Sequence, residues 1–346
     1  MTTISASAPG KFVILGEHAV VYGKPALALA IDMRFSIRVS RSNSYKVNGQ
    51  AATPYNMSPH MRYISDKIGT SPVSIYVDGR VPSGSGLGSS AALSNAYAAA
   101  ISALEGLPTD KETIARLAYE AEYASQGRGS PMDTSASANG YGIALNVPYK
   151  EEDFLWHIEK EDNAWDISKI DVPKMTFVIG NTGIKAATGP LVEKVRKYRE
   201  SNTFAAGIVD EIGDVTLDGL EAMKNNDLEE LGALMTYDHK LLSILGVSCN
   251  ELNHMVEAAI PYSYGAKLTG SGGGGCMVAL TDRPEKVAKA IRAHGGTPYV
   301  IHTQHERMER IAQYVGIRGI GRYHGQPRIC HGQVKKMVIP FVVTVT

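Results

Sequence analysis

The sequence contains little cysteine, and its cysteines are not arranged for cross-links. Cys249, Cys276 and Cys330 are odd in number and far apart in the 346-residue chain. This spacing argues against a disulfide framework and against a C-x-x-C metal or redox site. A reducing compartment fits such a sequence best, so we predict a cytoplasmic protein.

Long hydrophobic runs and an excess of one charge are also missing. No apolar stretch approaches the ~18 residues that a membrane-spanning helix needs, and the N-terminus lacks the pattern of a signal peptide. Lysine plus arginine and aspartate plus glutamate number 35 each, so the formal net charge is zero. We therefore expect no membrane association and no nucleic-acid partner.

The first positive signal is a loop rich in glycine and serine. It joins a predicted strand, residues 73–77, to a predicted helix, residues 89–104. Its glycines, Gly84, Gly86 and Gly88, let backbone N–H groups converge without side chains in the way. The start of the helix adds unpaired N–H groups and the positive end of the helix dipole. A phosphate suits such a place, although a plain glycine-rich connection with serine caps has the same pattern.

The loop lacks the lysine of a Walker A sequence, because Gly88 stands directly before Ser89. If phosphate binds here, its charge must be offset from elsewhere in the chain. The hydroxyls of Ser89 and Ser90 lie at the first helical positions, where they could touch a phosphate or a metal bound to one.

Charged residues surround the first predicted strand, which we place at residues 12–15. Lys11 stands at its beginning, and Glu17 and His18 follow its end. A second strand is predicted at residues 34–39 from strict alternation. The polar region 43–59 is predicted to be a surface excursion.

Two carboxylates draw attention further along the chain. Thr109 and Glu112 form a capping-box pattern that opens a helix, and Glu122 falls on the inward stripe of that helix. A buried carboxylate needs a partner, whereas an ion-paired Glu at the edge of the stripe needs none. Asp133 follows a glycine- and proline-containing loop, where an N-cap or turn aspartate is the alternative to a functional one.

The second half of the chain alternates helices with strands. Helices are predicted at residues 191–198, 204–224, 228–245 and 282–293, and strands at 176–179, 276–280 and 298–302. A second glycine cluster, Gly270 to Gly275, formally contains G-x-G-x-x-G. A strand rather than a helix follows it, so we reject a dinucleotide-binding loop. This half is predicted to be an α+β domain.

Three motifs in this order resemble the signature regions of the GHMP small-molecule kinases. They are Ser-Ala-Pro-Gly-Lys with Gly-Glu-His-Ala-Val-Val-Tyr-Gly, Pro-x-x-x-Gly-Leu-Gly-Ser-Ser-Ala-Ala, and Lys-Leu-Thr-Gly-Ser-Gly-Gly-Gly-Gly-Cys. The resemblance covers roughly residues 5–303. It implies an α+β, two-domain fold with the active site in the cleft between the domains.

The resemblance also implies a domain plan. An N-terminal GHMP kinase domain, residues 1–172, would have a mixed sheet with helices, like the second domain of ribosomal protein S5, and would carry the phosphate-binding loop 82–92. A ferredoxin-like α+β C-terminal domain, residues 173–303, would carry the glycine loop 269–275. Residues 304–346 form a C-terminal extension to which no role is assigned.

The form of the first motif is that of the mevalonate kinases in this family. Galactokinases usually have Thr-Asp after Glu-His, and phosphomevalonate kinases usually have Glu-Tyr. The resemblance therefore implies ATP-dependent phosphorylation of the 5-hydroxyl of mevalonate in isoprenoid precursor biosynthesis. Kinases for another small alcohol or for phosphomevalonate, and a catalytically silent ligand-binding regulator, are the alternatives.

The resemblance assigns roles to individual residues. Asp133 and Lys11 match catalytic residues, and Glu17, His18 and Thr182 match residues near mevalonate. Ser90 and Glu122 match residues that bind Mg²⁺. The residues that match the cradle of the ATP phosphates are Pro82, Gly84, Gly86, Leu87, Gly88, Ser89, Ser90 and Ala91. Those that match a supporting glycine loop are Gly270, Ser271 and Gly272. A homodimer is expected.

One position departs from the family pattern. Leu93 stands where a tyrosine is common three residues after the second loop serine. A substrate contact is therefore predicted to be lost or supplied by another residue.

Overall fold

A computed structural model describes residues 2–53, 55–127, 129–303 and 344–345. In these residues the chain forms two sheets, each covered by helices. The strands of the first sheet are β1 (Thr3–Leu15), β2 (Ala26–Arg41), β3 (Lys46–Val47), β4 (Gln50–Ala51), β5 (Val73–Gly79), β6 (Gly142–Leu145), β7 (Phe154–Lys160), β8 (Asn163–Lys169) and β13 (Thr344–Val345). Those of the second sheet are β9 (Thr176–Asn181), β10 (Gly265–Thr269), β11 (Cys276–Leu280) and β12 (Thr297–His302). The α-helices are α1 (Pro59–Ile68), α2 (Ser89–Leu104), α3 (Lys111–Gln126), α4 (Met132–Asn139), α5 (Thr188–Ser201), α6 (Thr203–Lys224), α7 (Leu228–Ile244), α8 (Asn250–Ala259) and α9 (Pro284–Ala293).

The first sheet is organised around its longest strand, β2. β1 runs antiparallel beside it, with Lys11 opposite Ala30. Its other edge pairs with β6 near the beginning and with β5 near the end. β3 is parallel to β5, so the sheet is mixed. Both α2 and α4 pack on β1 and β2, which places the starts of these two helices close to Lys11.

The second sheet has the strand order β10-β11-β9-β12, and its neighbours are antiparallel. Four helices, α5–α8, lie between β9 and β10 in the chain, and α9 lies between β11 and β12. This is the order of a ferredoxin-like unit. We propose that the domain boundary lies near residue 172, between β8 and β9.

One hydrophobic core continues from the first sheet into the second. It contains Phe12, Ile14 and Leu27 from the first sheet together with Phe177 and Ile179 from β9. The rings of Phe12 and Phe177 meet edge to face, with centroids 4.9 Å apart. A separate core lies between the first sheet and helices α1–α4. The shared core holds the two sheets at a fixed distance, and the candidate site lies between them.

Most elements predicted from the sequence are confirmed. The helix at residues 89–104 and the strand at 276–280 have the predicted bounds, and the helices from residue 191 to 245 differ by a few residues at their ends. The first strand was predicted too short, because Ile4 is the one large apolar residue among residues 3–9, whereas Gly10–Leu15 is buried without alternation. Lys11 therefore lies within β1 and not at its beginning.

One local prediction was wrong, and a second was incomplete. Asp110, not Thr109, caps α3, since its Oδ1 accepts from the Thr113 N–H at 2.9 Å. The surface excursion predicted for residues 43–59 contains the β3–β4 hairpin and the start of α1. Ser58 caps that helix by accepting from the Met61 N–H, and Pro59 occupies its first position.

The C-terminal extension, residues 304–346, lies outside the described residues except for β13. Ile4 and Ser5 of β1 pair with this short strand. In the described part of the chain, each helix is too short or too polar to cross a membrane.

Candidate active site

A buried lysine and a half-exposed aspartate meet at the floor of the cleft. Lys11 Nζ is 2.9 Å from Asp133 Oδ1, and the exposed fractions of the two side chains are 2% and 33%. The same Nζ donates to the Gly86 carbonyl at 3.1 Å. The pair therefore joins β1, the first turn of α4 and the glycine loop at one point.

The helix that carries Asp133 is fixed on both sides. Asn95 in α2 donates to the Thr134 carbonyl at 3.1 Å, and the Ser137 hydroxyl donates to the Pro9 carbonyl at 2.7 Å. Asp133 lies inside α4, after Pro131 at the N-cap, so the N-cap alternative for this aspartate is wrong. These bonds leave the Asp133 carboxylate facing the cleft.

The first glycine loop has the backbone that its sequence predicts. Gly84, Gly86 and Gly88 have φ values of 66°, 78° and 67°, which favour glycine. Gly88 is also needed for space, since a Cβ there would lie 2.9 Å from Lys11 Cγ. The first turn of α2, including Ser90, opens into the cleft. The loop therefore presents backbone N–H groups to a ligand.

The second glycine loop packs against the back of the first. A Cβ on Gly86 would lie 2.6 Å from the Thr269 carbonyl oxygen, and one on Gly270 would lie 2.8 Å from Gly86 Cα. Gly275 is equally close to Ser85, whose carbonyl oxygen would be 2.7 Å from its Cβ. Glycine at both loops lets their backbones touch, and the second sheet thereby supports the first glycine loop.

Glu122 is a buried carboxylate with a free oxygen at the edge of the cleft. Its Oε1 has no hydrogen-bond partner, and the nearby Ser90 hydroxyl acts to lower the pKa of the carboxyl. Burial, and then the charge of Asp133, raise the pKa of Glu122 to about 7. A carboxylate held in this way fits a cation.

A magnesium ion would suit these residues better than a transition metal. Among the described residues, no three histidine, cysteine or acidic side chains cluster as metal ligands. Magnesium usually takes one or two protein oxygens and completes its shell with water and phosphate oxygens. Ser90 and Glu122 supply such a pair of oxygens, and both line the cleft.

His18 lines the cleft next to the second glycine loop. Its Nε2 is 3.0 Å from the Ser271 carbonyl oxygen, and a carbonyl only accepts, so Nε2 carries the proton. Burial lowers the pKa of His18 to about 4, so the ring is neutral. Its Nδ1 is therefore an acceptor.

Glu17 is a buried residue in the wall of the cleft. Its side chain is buried, and Lys267 forms an ion pair with it. Burial raises the pKa of Glu17 to about 8, a rise that Lys267 opposes. No separate signal pointed to Lys267 in the sequence, since the glycines that follow it dominate that motif.

Thr182 lies at the loop after β9 and does not line the cleft. Its hydroxyl donates to the Gly275 carbonyl at 2.8 Å and accepts from the Ile184 N–H at 3.1 Å. The structure therefore uses this hydroxyl to tie two loops together.

Some residues of the cleft carry no motif. Tyr119 and Tyr123 share one face of α3, and the Tyr119 hydroxyl donates to the Gly129 carbonyl at 2.9 Å. The one sequence signal for these tyrosines is their spacing of four residues on α3, the helix that also carries Glu122. The other cleft residues that sequence reasoning did not single out are Val13, Gln126, Gly129, Ser130, Met132, Thr188 and Val192.

A cleft of this kind is suited to moving a phosphoryl group onto a small acceptor. The first turn of α2 borders it, a lysine–aspartate pair lies at its floor, and Glu122 offers a free oxygen. Its position between a mixed sheet and a four-stranded antiparallel sheet is that of a two-domain small-molecule kinase.

Comparison with known proteins agrees with this class. The model of the GHMP kinases N terminal domain matches residues 57–141, and that of the GHMP kinases C terminal matches residues 220–300. The mevalonate kinase of Pyrococcus furiosus is 33% identical over 345 aligned residues, which cover 88% of this chain and 98% of the relative. The chain therefore belongs to the GHMP kinase family.

Solved structures show the same fold. The L. major mevalonate kinase in complex with R-mevalonate is 25% identical, with a TM-score of 0.72, over 85% of this chain and 94% of that one. The Streptococcus pneumoniae phosphomevalonate kinase has a TM-score of 0.71 over 87% of this chain and 100% of that one. At 19% identity this second likeness concerns the fold alone.

Proposed function

We propose that the protein is a mevalonate kinase, which transfers the terminal phosphoryl group of ATP to the 5-hydroxyl of mevalonate. The product, 5-phosphomevalonate, serves isoprenoid precursor biosynthesis. The observation that carries the proposal is the Lys11–Asp133 pair, 2.9 Å apart, beneath the glycine loop. The archaeal mevalonate kinases that match nearly the whole chain support the choice of acceptor.

Asp133 and Lys11 act on the reacting hydroxyl. Phosphoryl transfer depends mainly on positioning and on neutralising spread negative charge. Asp133 orients the hydroxyl and accepts its proton, and Lys11 stabilises the negative charge that develops on the acceptor oxygen. Lys11 is suited to this role because its bond to Gly86 keeps the ammonium in place.

The loop at residues 82–91 holds the phosphates of ATP through its backbone N–H groups and the start of α2. Mg²⁺ is part of the proposal, with Ser90 and Glu122 as the residues that would hold it. When bound, it supplies the positive charge that the loop lacks. Gly270, Ser271 and Gly272 keep the loop in position from behind, consistent with the close approach of Gly270 to Gly86.

His18 and Glu17 bind the acceptor. The bare Nδ1 of His18 accepts a hydrogen bond from a mevalonate hydroxyl, and the Glu17 carboxylate provides a second acceptor beside it. Thr182 stays a predicted substrate residue, and its bond to Gly275 suits a supporting role better.

The charges of the cleft favour mevalonate over a phosphorylated acceptor. Phosphate recognition uses additional lysines or arginines. Among the described residues that line the cleft, Lys11 is the only one of either type, and Asp133 already pairs with it.

Coupled ADP release tests the proposal with mevalonate, phosphomevalonate, homoserine and galactose as acceptors. We expect mevalonate to be used with by far the highest kcat/KM, and only in the presence of Mg²⁺. Preference for any other acceptor would refute the proposed substrate. Turnover with EDTA present would refute the metal.

The proposal also includes a cytoplasmic homodimer. The sparse, dispersed cysteines are consistent with a reducing compartment. Sedimentation equilibrium of the full chain measures the oligomeric state, and a monomer at micromolar concentration would refute the dimer.

A further inference from the structure

A buried group of charges lies behind the cleft and connects its two walls. Lys267 in β10 forms an ion pair with Glu17, which follows β1, and its Nζ is 3.2 Å from Asp238 Oδ2 in α7. The same Nζ donates to the Leu268 carbonyl at 2.9 Å. The exposed fractions of the Lys267, Glu17 and Asp238 side chains are 0%, 2% and 0%.

This group is an expensive arrangement for stability alone. Two carboxyl groups face one ammonium away from water, and burial raises the pKa of both Glu17 and Asp238, because burial of charge is costly even when it is paired. Glu17 Oε2 and Asp238 Oδ1 have no hydrogen-bond partner. An apolar trio would pack in the same volume at lower cost. The group therefore calls for a functional explanation.

Its position next to the acceptor residues provides one. Thr269 shares a strand face with Lys267, and its hydroxyl accepts from the Val13 N–H at 2.9 Å and donates to the Val13 carbonyl at 3.1 Å. This contact docks β10 against the end of β1, so Lys267 points at the segment that follows β1. The next residue in that segment, His18, has a φ of 61° and is held by Ser271 from the same loop system.

We propose that Lys267, with Asp238 as its second partner, is a positioning residue for the acceptor. It fixes the Glu17 carboxylate and, through the adjoining backbone, the His18 ring that faces the cleft. This inference rests on the proposed function, in which Glu17 and His18 bind mevalonate. It predicts that Lys267 affects acceptor binding much more than nucleotide binding.

The charges around Glu17 set its pKa, and a change in that pKa distinguishes an electrostatic role of Lys267 from a role in packing alone. Lys267 faces Glu17 from β10, and Asp238 faces it from α7. His18 and His239 also adjoin this group, and both rings are neutral because burial lowers their pKa values to about 4. His239 accepts from the Leu268 N–H at 3.2 Å. Lys267 lowers the pKa of Glu17 and Asp238 raises it. Removing these two charges should therefore move the titration of Glu17 in opposite directions.

The experiment compares Lys267→Met, Asp238→Asn and the control Lys240→Met, which removes an exposed lysine of α7. KM for mevalonate, KM for ATP and the pH dependence of kcat/KM for mevalonate are measured for each. We expect Lys267→Met to raise KM for mevalonate about 10- to 100-fold and to leave KM for ATP nearly unchanged. Lys240→Met should match the wild type.

The acid limb of the pH profile should shift to higher pH in Lys267→Met and to lower pH in Asp238→Asn, if ionised Glu17 binds the acceptor. If Lys267→Met does not fold, the inference is tested by the shift of the acid limb in the isosteric Asp238→Asn variant alone. If the acid limbs do not shift, or if KM for mevalonate and KM for ATP rise equally in Lys267→Met, the inference is overturned. The proposed function is unaffected by that result as long as the wild type turns over mevalonate. A wild type inactive on mevalonate would instead refute the proposed function.

Discussion

Asp133 and Lys11 meet because a hydrogen bond from a side chain of α4 to the backbone of β1 joins the two elements beside the pair. Ser137 donates to the carbonyl of Pro9, two residues before Lys11. The carboxylate thus keeps its place without help from a ligand. Preorganisation of this kind suits a reaction whose catalysis is mainly positioning.

Replacing Asp133 by Asn tests its role at the reacting hydroxyl. The amide keeps the shape of the side chain but cannot accept a proton, so kcat should fall about 10²–10⁴-fold. KM for ATP and for mevalonate should change little. Steady-state kinetics measure both, with Asp214→Asn, an exposed aspartate of α6, as control. A variant with near-normal kcat would remove Asp133 from catalysis.

Replacing Glu122 by Gln tests the cation site. The amide removes the charge that would attract Mg²⁺, so the Mg²⁺ concentration for half-maximal binding of a non-hydrolysable ATP analogue should rise at least about tenfold. Calorimetry measures this without turnover. Glu120→Gln is the matched control, because Glu120 is an exposed residue of the same helix that pairs with Lys67. Equal Mg²⁺ dependence in both variants would contradict the assignment.

At the scale of elements, the backbones of the two glycine loops pack directly against each other. A Cβ on Gly86, Gly270 or Gly275 would clash with the backbone of the other loop. The strand–loop–helix pattern predicted the first loop and the bounds of α2. It could not predict that Thr269 and Gly270 would lie against Gly86, because that contact joins segments distant in the chain. The supporting role of the second loop followed only from the resemblance.

Gly88→Ala tests the close approach of the phosphate loop to Lys11. The new Cβ would lie 2.9 Å from Lys11 Cγ, so we expect a displaced lysine and a loss in kcat/KM of about 10²-fold. Gly106→Ala is the matched control, since its φ of 69° is nearly the same and no atom lies within 4 Å of its Cβ.

Both glycine variants should lose about 1–2 kcal/mol of stability from the left-handed backbone, measured by thermal unfolding. Only Gly88→Ala should lose activity. If Gly106→Ala lost as much activity, backbone strain rather than the Lys11 contact would be the cause.

At the scale of the whole molecule, the two sheets share a core, and the cleft depends on it. Phe177→Ala should lower the free energy of unfolding by about 3–5 kcal/mol, because its ring packs on Phe12 across the two sheets. Phe204→Ala is the control, since its side chain is 59% exposed and the expected change is below about 0.5 kcal/mol. Chemical denaturation measures both. A separate first transition in Phe177→Ala, with the first sheet unaffected, would show that the sheets unfold independently.

The sequence by itself determined the local structure and the class of chemistry. Glycines at alternate positions before a helix, an alternating strand at residues 34–39 and an inward Glu122 depend on neighbouring residues, so they can be read along the chain. The start of β1 was missed although the burial of residues 3–8 alternates, because only Ile4 among them is a large apolar residue. The order of the three motifs gave the family.

Only the tertiary structure decided which side chains meet. Lys267 and Glu17 are 250 residues apart in the chain, and Lys11 contacts Gly86 over 75 residues. Such contacts depend on how two sheets pack through a common core, which no local pattern encodes. The burial of Glu17, the neutral state of His18 and the free oxygen of Glu122 all follow from that packing.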